Sequence, residues 1–104
     1  MRVLVTGANG QVGSALSRRL RAVTDVVATD RSRLDLSRPE TICAALDRIA
    51  PDLVINAAAY TDVDRAEAEP DLAHGVNAEA PGLLARWCAA RGAFLLHFST
   101  DYVF

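Results

Sequence analysis

The chain has no surplus of positive charge. Its 11 basic residues are outnumbered by 13 acidic ones, for a formal net charge of -2, which leaves no basic footprint for nucleic acid. Long apolar runs are missing too. Stretches such as Ala93–Phe98 fall far short of the roughly 20 residues that a membrane-crossing helix needs. Met1–Thr6 opens directly as a strand-like segment, without the charged and apolar blocks of a secretory signal, so the expected compartment is the cytoplasm and no membrane partner is expected. Cysteine is scarce: Cys43 and Cys88 stand far apart, with neither C-x-x-C spacing nor a histidine cluster nearby. Both read as small buried apolar side chains, kept reduced, and not as disulfide or metal ligands. There are no internal repeats, low-complexity tracts or flexible linkers. Lysine is absent altogether, so every basic residue is an arginine.

What remains is an ordinary globular composition, 51% apolar and 23% charged over 104 residues, enough for one domain. Periodicity divides it into alternating elements. Arg2–Thr6 is a β-branched run ending at Gly7. Gln11–Arg21 places Val12, Leu16 and Leu20 on one helical stripe. Val26–Thr29 is a second strand, ending at Asp30, and Arg33–Leu36 is expected as a very short third. Ser37 and Glu40 have capping-box spacing, with Pro39 in the first turn. They open a helix with an apolar face of Ile42, Leu46 and Ile49, stopped by Pro51. Asp52–Ile55 is a fourth strand, apolar on consecutive positions, as in a parallel sheet covered on both faces. Residues 56–70 read as a loop. Asp71–Arg91 is expected to be mostly helical, kinked or restarted at Pro81, with Leu72, Val76, Leu83, Leu84, Trp87 and Cys88 on its buried side. Gly92 ends it, and Ala93–Phe98 is a fifth strand. Strands alternating with helices imply a parallel sheet with right-handed crossovers.

The chemistry starts at Gly7–Gly13, GANGQVG. This G-x-x-G-x-x-G sits between a strand and an amphipathic helix. Gly7 permits the tight exit from the strand, Gly10 lets backbone approach a phosphate, and Gly13 lets helix and sheet pack closely. The first helical residues, Gln11 and Val12 among them, then offer unpaired N–H groups and a positive dipole end to a pyrophosphate. In that setting the motif points to a dinucleotide site. Asp30, at the end of the second strand, is placed to accept hydrogen bonds from adenosine ribose hydroxyls, which favours NAD over NADP. Arg31 and Arg33 are placed to pair with a 2′-phosphate and so to admit NADPH. The plainer alternative makes Asp30 a solvated strand end and the arginines surface charge.

Other polar positions carry two readings each. Leu36 is either an adenine platform with Asp35 taking the amino group, or ordinary core beside a helix-preceding acid. The small side chains of Ala57, Ala58 and Ala59, followed by Tyr60, either let a flat cofactor lie against backbone or serve tight strand–helix packing. Asn77, inside an apolar helical stretch, is expected to bond a neighbouring loop and to support the cofactor pocket. Asp62, Asp64, Glu67 and Glu69 read as a solvated acidic run. His74 and His97 lack ligand spacing, and His97 is expected as a hydrogen-bonded core residue. No metal is expected.

GANGQVG, NAAAYTDVDRAEAEP at 56–70, VNAEAP at 76–81 and STDYVF at 99–104 together resemble the extended short-chain dehydrogenase/reductase superfamily, most closely its dTDP-4-dehydrorhamnose reductase branch. The resemblance spans the whole chain. It implies an α/β fold, a Rossmann-type doubly wound parallel sheet in strand order 3-2-1-4-5, cut after the fifth strand. On this reading residues 1–104 form part of an NAD(P)-binding domain and the substrate-binding C-terminal region lies elsewhere. The implied reaction passes hydride from NADPH or NADH to the 4-keto group of dTDP-4-dehydro-L-rhamnose (dTDP-6-deoxy-L-lyxo-4-hexulose), giving dTDP-L-rhamnose. The partner is thus a small-molecule nucleotide sugar. Thr100 matches the Ser/Thr that helps to polarise the substrate carbonyl in such enzymes, with Ser99 beside it at the cofactor.

The family's Y-x-x-x-K, whose lysine lowers the pKa of the proton-donating tyrosine, cannot occur without a lysine. After Tyr60 the lysine position holds Asp64, and Tyr102 is two residues from the end. These residues alone are therefore expected to turn over very slowly, since general-acid help contributes about 10²–10⁴-fold. The fifth strand is expected to leave an apolar edge that invites association with a second copy. The main alternative is a non-catalytic NAD(P)-binding regulatory module, resembling the regulatory subunit of methionine adenosyltransferase. An epimerase or dehydratase of the same superfamily fits STDYVF and NAAAYTDVD less well.

Overall fold

The computed structural model describes residues 1–30, 32–36, 38–57 and 80–97. Along the chain lie β1 (Arg2–Thr6), α1 (Gln11–Leu20), β2 (Asp25–Thr29), α2 (Pro39–Ile49), β3 (Leu53–Asn56), α3 (Ala80–Arg91) and β4 (Phe94–His97). The four strands form one sheet in the order β2-β1-β3-β4, and every pairing is parallel. Thr6 is level with Thr29 on one side and with Asn56 on the other, and Asn56 with His97. All four strands therefore end at one carboxyl edge.

The alternation of side chains along each strand sends the core to both faces. On one face Val3, Val5 and Ile55 pack with Leu16 and Leu20 of α1. On the other, Leu4 and Val54 pack with Ile42, Ala45 and Leu46 of α2 and Leu84, Trp87 and Cys88 of α3. β1 sits between two strands and two helical layers, and Val3, Leu4 and Val5 are buried. Each such side chain contributes roughly 1.5–3 kcal/mol by leaving water. The α2 and α3 helices are also tied at the surface. The Trp87 indole Nε1 donates to Asp47 Oδ1 at 2.9 Å, and Arg91 Nη2 donates to the same oxygen at 2.8 Å. The Arg91 guanidinium lies 5.2 Å from the Trp87 ring centroid. The indole N–H first, and then the Arg91 charge, hold the Asp47 carboxyl below its ordinary range.

The expected third strand does not form. After β2 the chain turns back on itself, with the Arg33 and Leu34 N–H groups both bonded to the Asp30 carbonyl and Arg38 N–H to that of Asp35. Donors spent in turns have no ladder to join, so residues 33–36 add no strand. Both Leu34 and Leu36 are nevertheless buried in the α2–α3 cluster. The expected order 3-2-1-4-5 is thereby corrected to four strands in the order 2-1-3-4, which lacks the expected outermost strand beside β2. The capping box also differs. The N-cap of α2 is Arg38, with no side-chain cap bond and Pro39 in the first turn, and Glu40 accepts from Arg38 Nε at 3.3 Å; Ser37 lies outside the described residues. Pro81 falls in the first turn of α3, where a missing N–H costs no helical bond. Gly92, at φ 70°, ends that helix. Leu72 and Val76 lie outside the described residues. Cys88 is buried, which pushes its thiol pKa up, whereas Cys43 is exposed, contrary to expectation.

Helix α2 ends without glycine. Ala50 takes the left-handed conformation, φ 52° and ψ 56°, and its N–H bonds to the Leu46 carbonyl at 2.7 Å. A Cβ in this region is unfavourable by roughly 1–2 kcal/mol. Against this, glycine loses more backbone freedom on folding. Ala50→Gly is expected to stabilise the fold by about 0.5–1 kcal/mol, read as a higher denaturant midpoint; an unchanged or lower midpoint contradicts the strain at this helix end.

Candidate functional site

At the carboxyl edge, β1 runs into the glycine loop and the loop into α1. Gly7 has φ 66°, a region where only glycine is free of penalty. The turn closes through Gly10 N–H to the Gly7 carbonyl at 3.1 Å, and the Ala8 N–H reaches across to the Thr29 carbonyl of β2 at 3.0 Å. Gly13 is buried where α1 crosses this loop. A Cβ there would lie 2.1 Å from the Gly7 carbonyl oxygen and 2.8 Å from its carbon, so any side chain would force helix and loop apart. Gly10 caps α1 in an extended conformation with no side-chain bond, and the first turn holds no acidic residue. The N–H groups of Gln11, Val12 and Gly13 have no acceptors within a helix that starts there, and the positive end of its dipole has no neighbouring counter-charge in that turn. This is an anion-holding geometry suited to a diphosphate.

Asp30 stands beside the loop at the end of β2. Its Oδ1 accepts from the Ser32 hydroxyl at 2.6 Å and the Ser32 N–H at 2.9 Å, and its Oδ2 from Asn9 Nδ2 at 3.2 Å. The carboxylate thus ties the glycine loop to the turn after β2 and keeps lone-pair sites for a further donor. The Ser32 hydroxyl, foremost, and the Ser32 N–H after it hold the Asp30 carboxyl below its ordinary value of 3.8. Between α1 and the end of β2 lies a hollow of about 290 Å³, bordered by Asn9, Ser14, Arg18, Arg21, Ala28 and Asp30.

A polar chain runs along the same edge. Thr6 Oγ1 donates to Asn56 Oδ1 at 2.7 Å, and Asn56 Nδ2 lies 2.9 Å from His97 Nδ1, which acts as acceptor when the amide is so turned. Thr29 Oγ1 donates to the Val5 carbonyl at 3.1 Å. Thr6 and Asn56 were not singled out by the sequence reading as site residues. Their signal is that every strand ends on a hydrogen-bonding side chain: Thr6, Thr29, Asn56 and His97. His97 is hydrogen-bonded as expected but exposed, not core.

Of the expected cofactor residues, Gly7, Gly10, Gln11, Val12, Gly13 and Asp30 therefore converge on one edge. Asp35 is half-buried in the turn before α2. Leu36 is 3% exposed within the α2–α3 core, which leaves little of it for a ring to rest on. Ala57 is fully buried directly after β3. Arg31, Ala58, Ala59, Tyr60, Asn77, Ser99 and Thr100 lie outside the described residues, as do the acidic run and His74. Among the described residues no group of three or more His, Cys, Asp or Glu side chains could hold a metal ion, and no helix is long and apolar enough to cross a membrane.

Residues 1–104 match the family model described as the RmlD substrate binding domain. The chain belongs to that family. A dTDP-4-dehydrorhamnose reductase of Burkholderia thailandensis is 50% identical over all of this chain and 35% of its own length. Among solved structures, a dTDP-4-dehydrorhamnose reductase from Clostridium acetobutylicum superposes with a TM-score of 0.85 at 39% identity, over 100% of this chain and 38% of that one. One from Bacillus anthracis, solved in complex with NADP, gives 0.82 at 40% identity, over 99% and 37%. The chain spans about a third of the length of the curated relatives that it matches.

Two outcomes are expected. Gly13→Ala destabilises the fold by about 3 kcal/mol or prevents folding, because overpacking is met by backbone, not by a mobile side chain; a thermal melt within a degree or two of the parent contradicts the close crossing. The Asp30 carboxyl titrates below 3.8. A lowered folded-state value means that its contribution to stability is fully present above the unfolded value and is lost as pH falls through the lowered one. Carbon-13 NMR of the carboxyl is expected to show a midpoint under 3.8 that Ser32→Ala moves upward.

Proposed function

We propose that this chain is the dinucleotide-holding part of an NAD(P)H-dependent oxidoreductase, one that reduces dTDP-4-dehydro-L-rhamnose to dTDP-L-rhamnose in deoxysugar biosynthesis in the cytoplasm. The observation that carries the proposal is the glycine loop at the carboxyl edge of a parallel sheet, with the start of α1, free of any side-chain cap bond, directed from it. The half-identical reductase relatives and the NADP complex of a structural neighbour support the substrate and the cofactor. When bound, NADPH or NADH supplies the hydride for the 4-keto carbon.

Each residue has a task in this reading. The N–H groups of Gln11, Val12 and Gly13 hold the pyrophosphate, and Gly10 keeps its path clear of side chains. Asp30 takes a ribose hydroxyl with its remaining lone pairs. The resemblance to the reductases assigns Ala57, Ala58, Ala59, Tyr60, Asn77 and Ser99 to contact with the cofactor, and Asp35 and Arg31 to its adenosine; of these only Asp35 and Ala57 are among the described residues. Thr100 donates to the substrate carbonyl oxygen and so stabilises the charge that develops there. No tyrosine–lysine pair is available among these residues to deliver the proton to that oxygen.

Fluorescence titration of the protein with NADH and NADPH tests the cofactor reading. Saturable binding is expected, weakened about tenfold or more for NADH in Asp30→Ala, which removes charge-assisted hydrogen bonds. Binding of neither nucleotide by a folded sample refutes it. In the intact enzyme Thr100→Val is expected to lower kcat on the 4-keto sugar by about 10²-fold, the usual effect of losing one oxyanion donor, and an unchanged kcat removes Thr100 from that role.

A further inference from the structure

We propose that the hollow between α1 and the end of β2 is a phosphomonoester subsite, in which Arg18 and Arg21 hold the 2′-phosphate of NADPH. The inference rests on the dinucleotide reading above and adds the residues that read the phosphate. Place is the first argument. Asn9 and Asp30 border this hollow and are also hydrogen-bonded to each other at the glycine loop, so the space opens beside the position taken by the adenosine ribose. Its volume of about 290 Å³ equals the liquid-volume share of about ten water molecules. A phosphate and part of its hydration shell fit within it.

Charge is the second argument. Arg18 and Arg21 stand three residues apart on α1, hence on one side of the helix. Among the described residues neither guanidinium has an ion-pair or hydrogen-bond partner, whereas Arg2, Arg38 and Arg91 are paired with Asp25, Glu40 and Asp47. Two guanidiniums against the one carboxylate of Asp30 leave a net charge of about +1 around the space, and planar guanidinium forks match phosphate oxygens bidentately. Asp30 is the group that would repel a phosphate. Its two oxygens already accept from Ser32 and Asn9, which spreads its charge over those donors.

Side-chain size is the third argument. Ala28 lines the sheet side and adds no bulk. Among the described residues the Ser14 hydroxyl is held only by a long 3.4 Å contact to the Gln11 carbonyl, so it can turn to a ligand oxygen. Ser17 is spent, since its hydroxyl donates to the Gly13 carbonyl at 2.8 Å. This assigns the phosphate to arginines of the first helix and not to Arg33, whose Nη1 points at the Ala28 carbonyl at 3.5 Å.

The test is titration of the intact protein with NADPH and NADH, in parallel for Arg18→Gln, Arg21→Gln and the double variant. Each single change is expected to weaken NADPH about tenfold and the double change about a hundredfold, as for loss of charge-assisted hydrogen bonds, with NADH affinity held within about twofold. In competition, 2′,5′-ADP is expected to displace NADPH better than 5′-ADP does, and to lose that advantage in the double variant. Equal losses for NADH and NADPH, or no loss for either, overturn the subsite while leaving the dinucleotide reading intact, because NADH binding by the parent protein reports that reading separately. A parent protein that binds neither nucleotide overturns both.

Discussion

The contact between Gly13 and the Gly7 carbonyl fixes the rest of the site. Where a Cβ would lie 2.1 Å from that oxygen, the helix axis can approach the strand end only as a backbone-on-backbone crossing. That closeness directs the first turn of α1 at the space above the sheet edge. It also lets the loop close through Gly10 onto Gly7 and reach β2 through Ala8 and Thr29. Burial of Leu16 and Leu20 against Val3, Val5 and Ile55 stabilises the helix from below. The apolar layer and the missing side chains act together: one supplies the attraction, the other permits the distance at which it operates.

Around that crossing the carboxyl edge is polar by construction. Each strand finishes on a hydrogen-bonding side chain, and Thr6, Asn56 and His97 bond in sequence across three strands. Among the described residues no buried side-chain nitrogen or oxygen lacks a partner. Such an edge stays ordered without apolar cover, and a ligand meets a surface already fixed in shape. Asp30 works in the same manner on the β2 side, holding Asn9 and Ser32 in place. Electrostatic preorganisation of this kind is purchased by the fold, not by the ligand.

Much of this was legible in the residues. The glycine spacing, the Val12–Leu16–Leu20 stripe, the run at 53–55 and Pro51 all carry strong local preferences that tertiary packing did not override. The misread parts have a common physical cause. Arg33–Leu36 alternates polar and apolar as a strand does, yet its N–H groups are captured by the Asp30 carbonyl, a competition that periodicity cannot register. Ser37 and Glu40 had the spacing of a cap, but the helix begins two residues later, at Pro39. Cys43 falls on the outer side of α2, where the apolar average of the segment hid a single exposed position. The Thr6–Asn56–His97 chain required the register of three strands and so was beyond reach of any one segment. The arginines bordering the hollow carry no signal in the sequence, because only the placement of α1 beside β2 brings them together with Asp30.

The two faces of the sheet are not equally furnished. Phe94 and Leu96, level with Leu53 and Ile55, remain 71% and 49% exposed, while Leu95 leans on the opposite layer. Among the described residues β4 is therefore held by one neighbouring strand and one apolar face, β1 by two of each. Cooperativity in such a sheet is graded outward from β1. Small openings of the native state are expected to start at β4 before they reach β1, so the glycine loop outlasts the periphery when the molecule breathes.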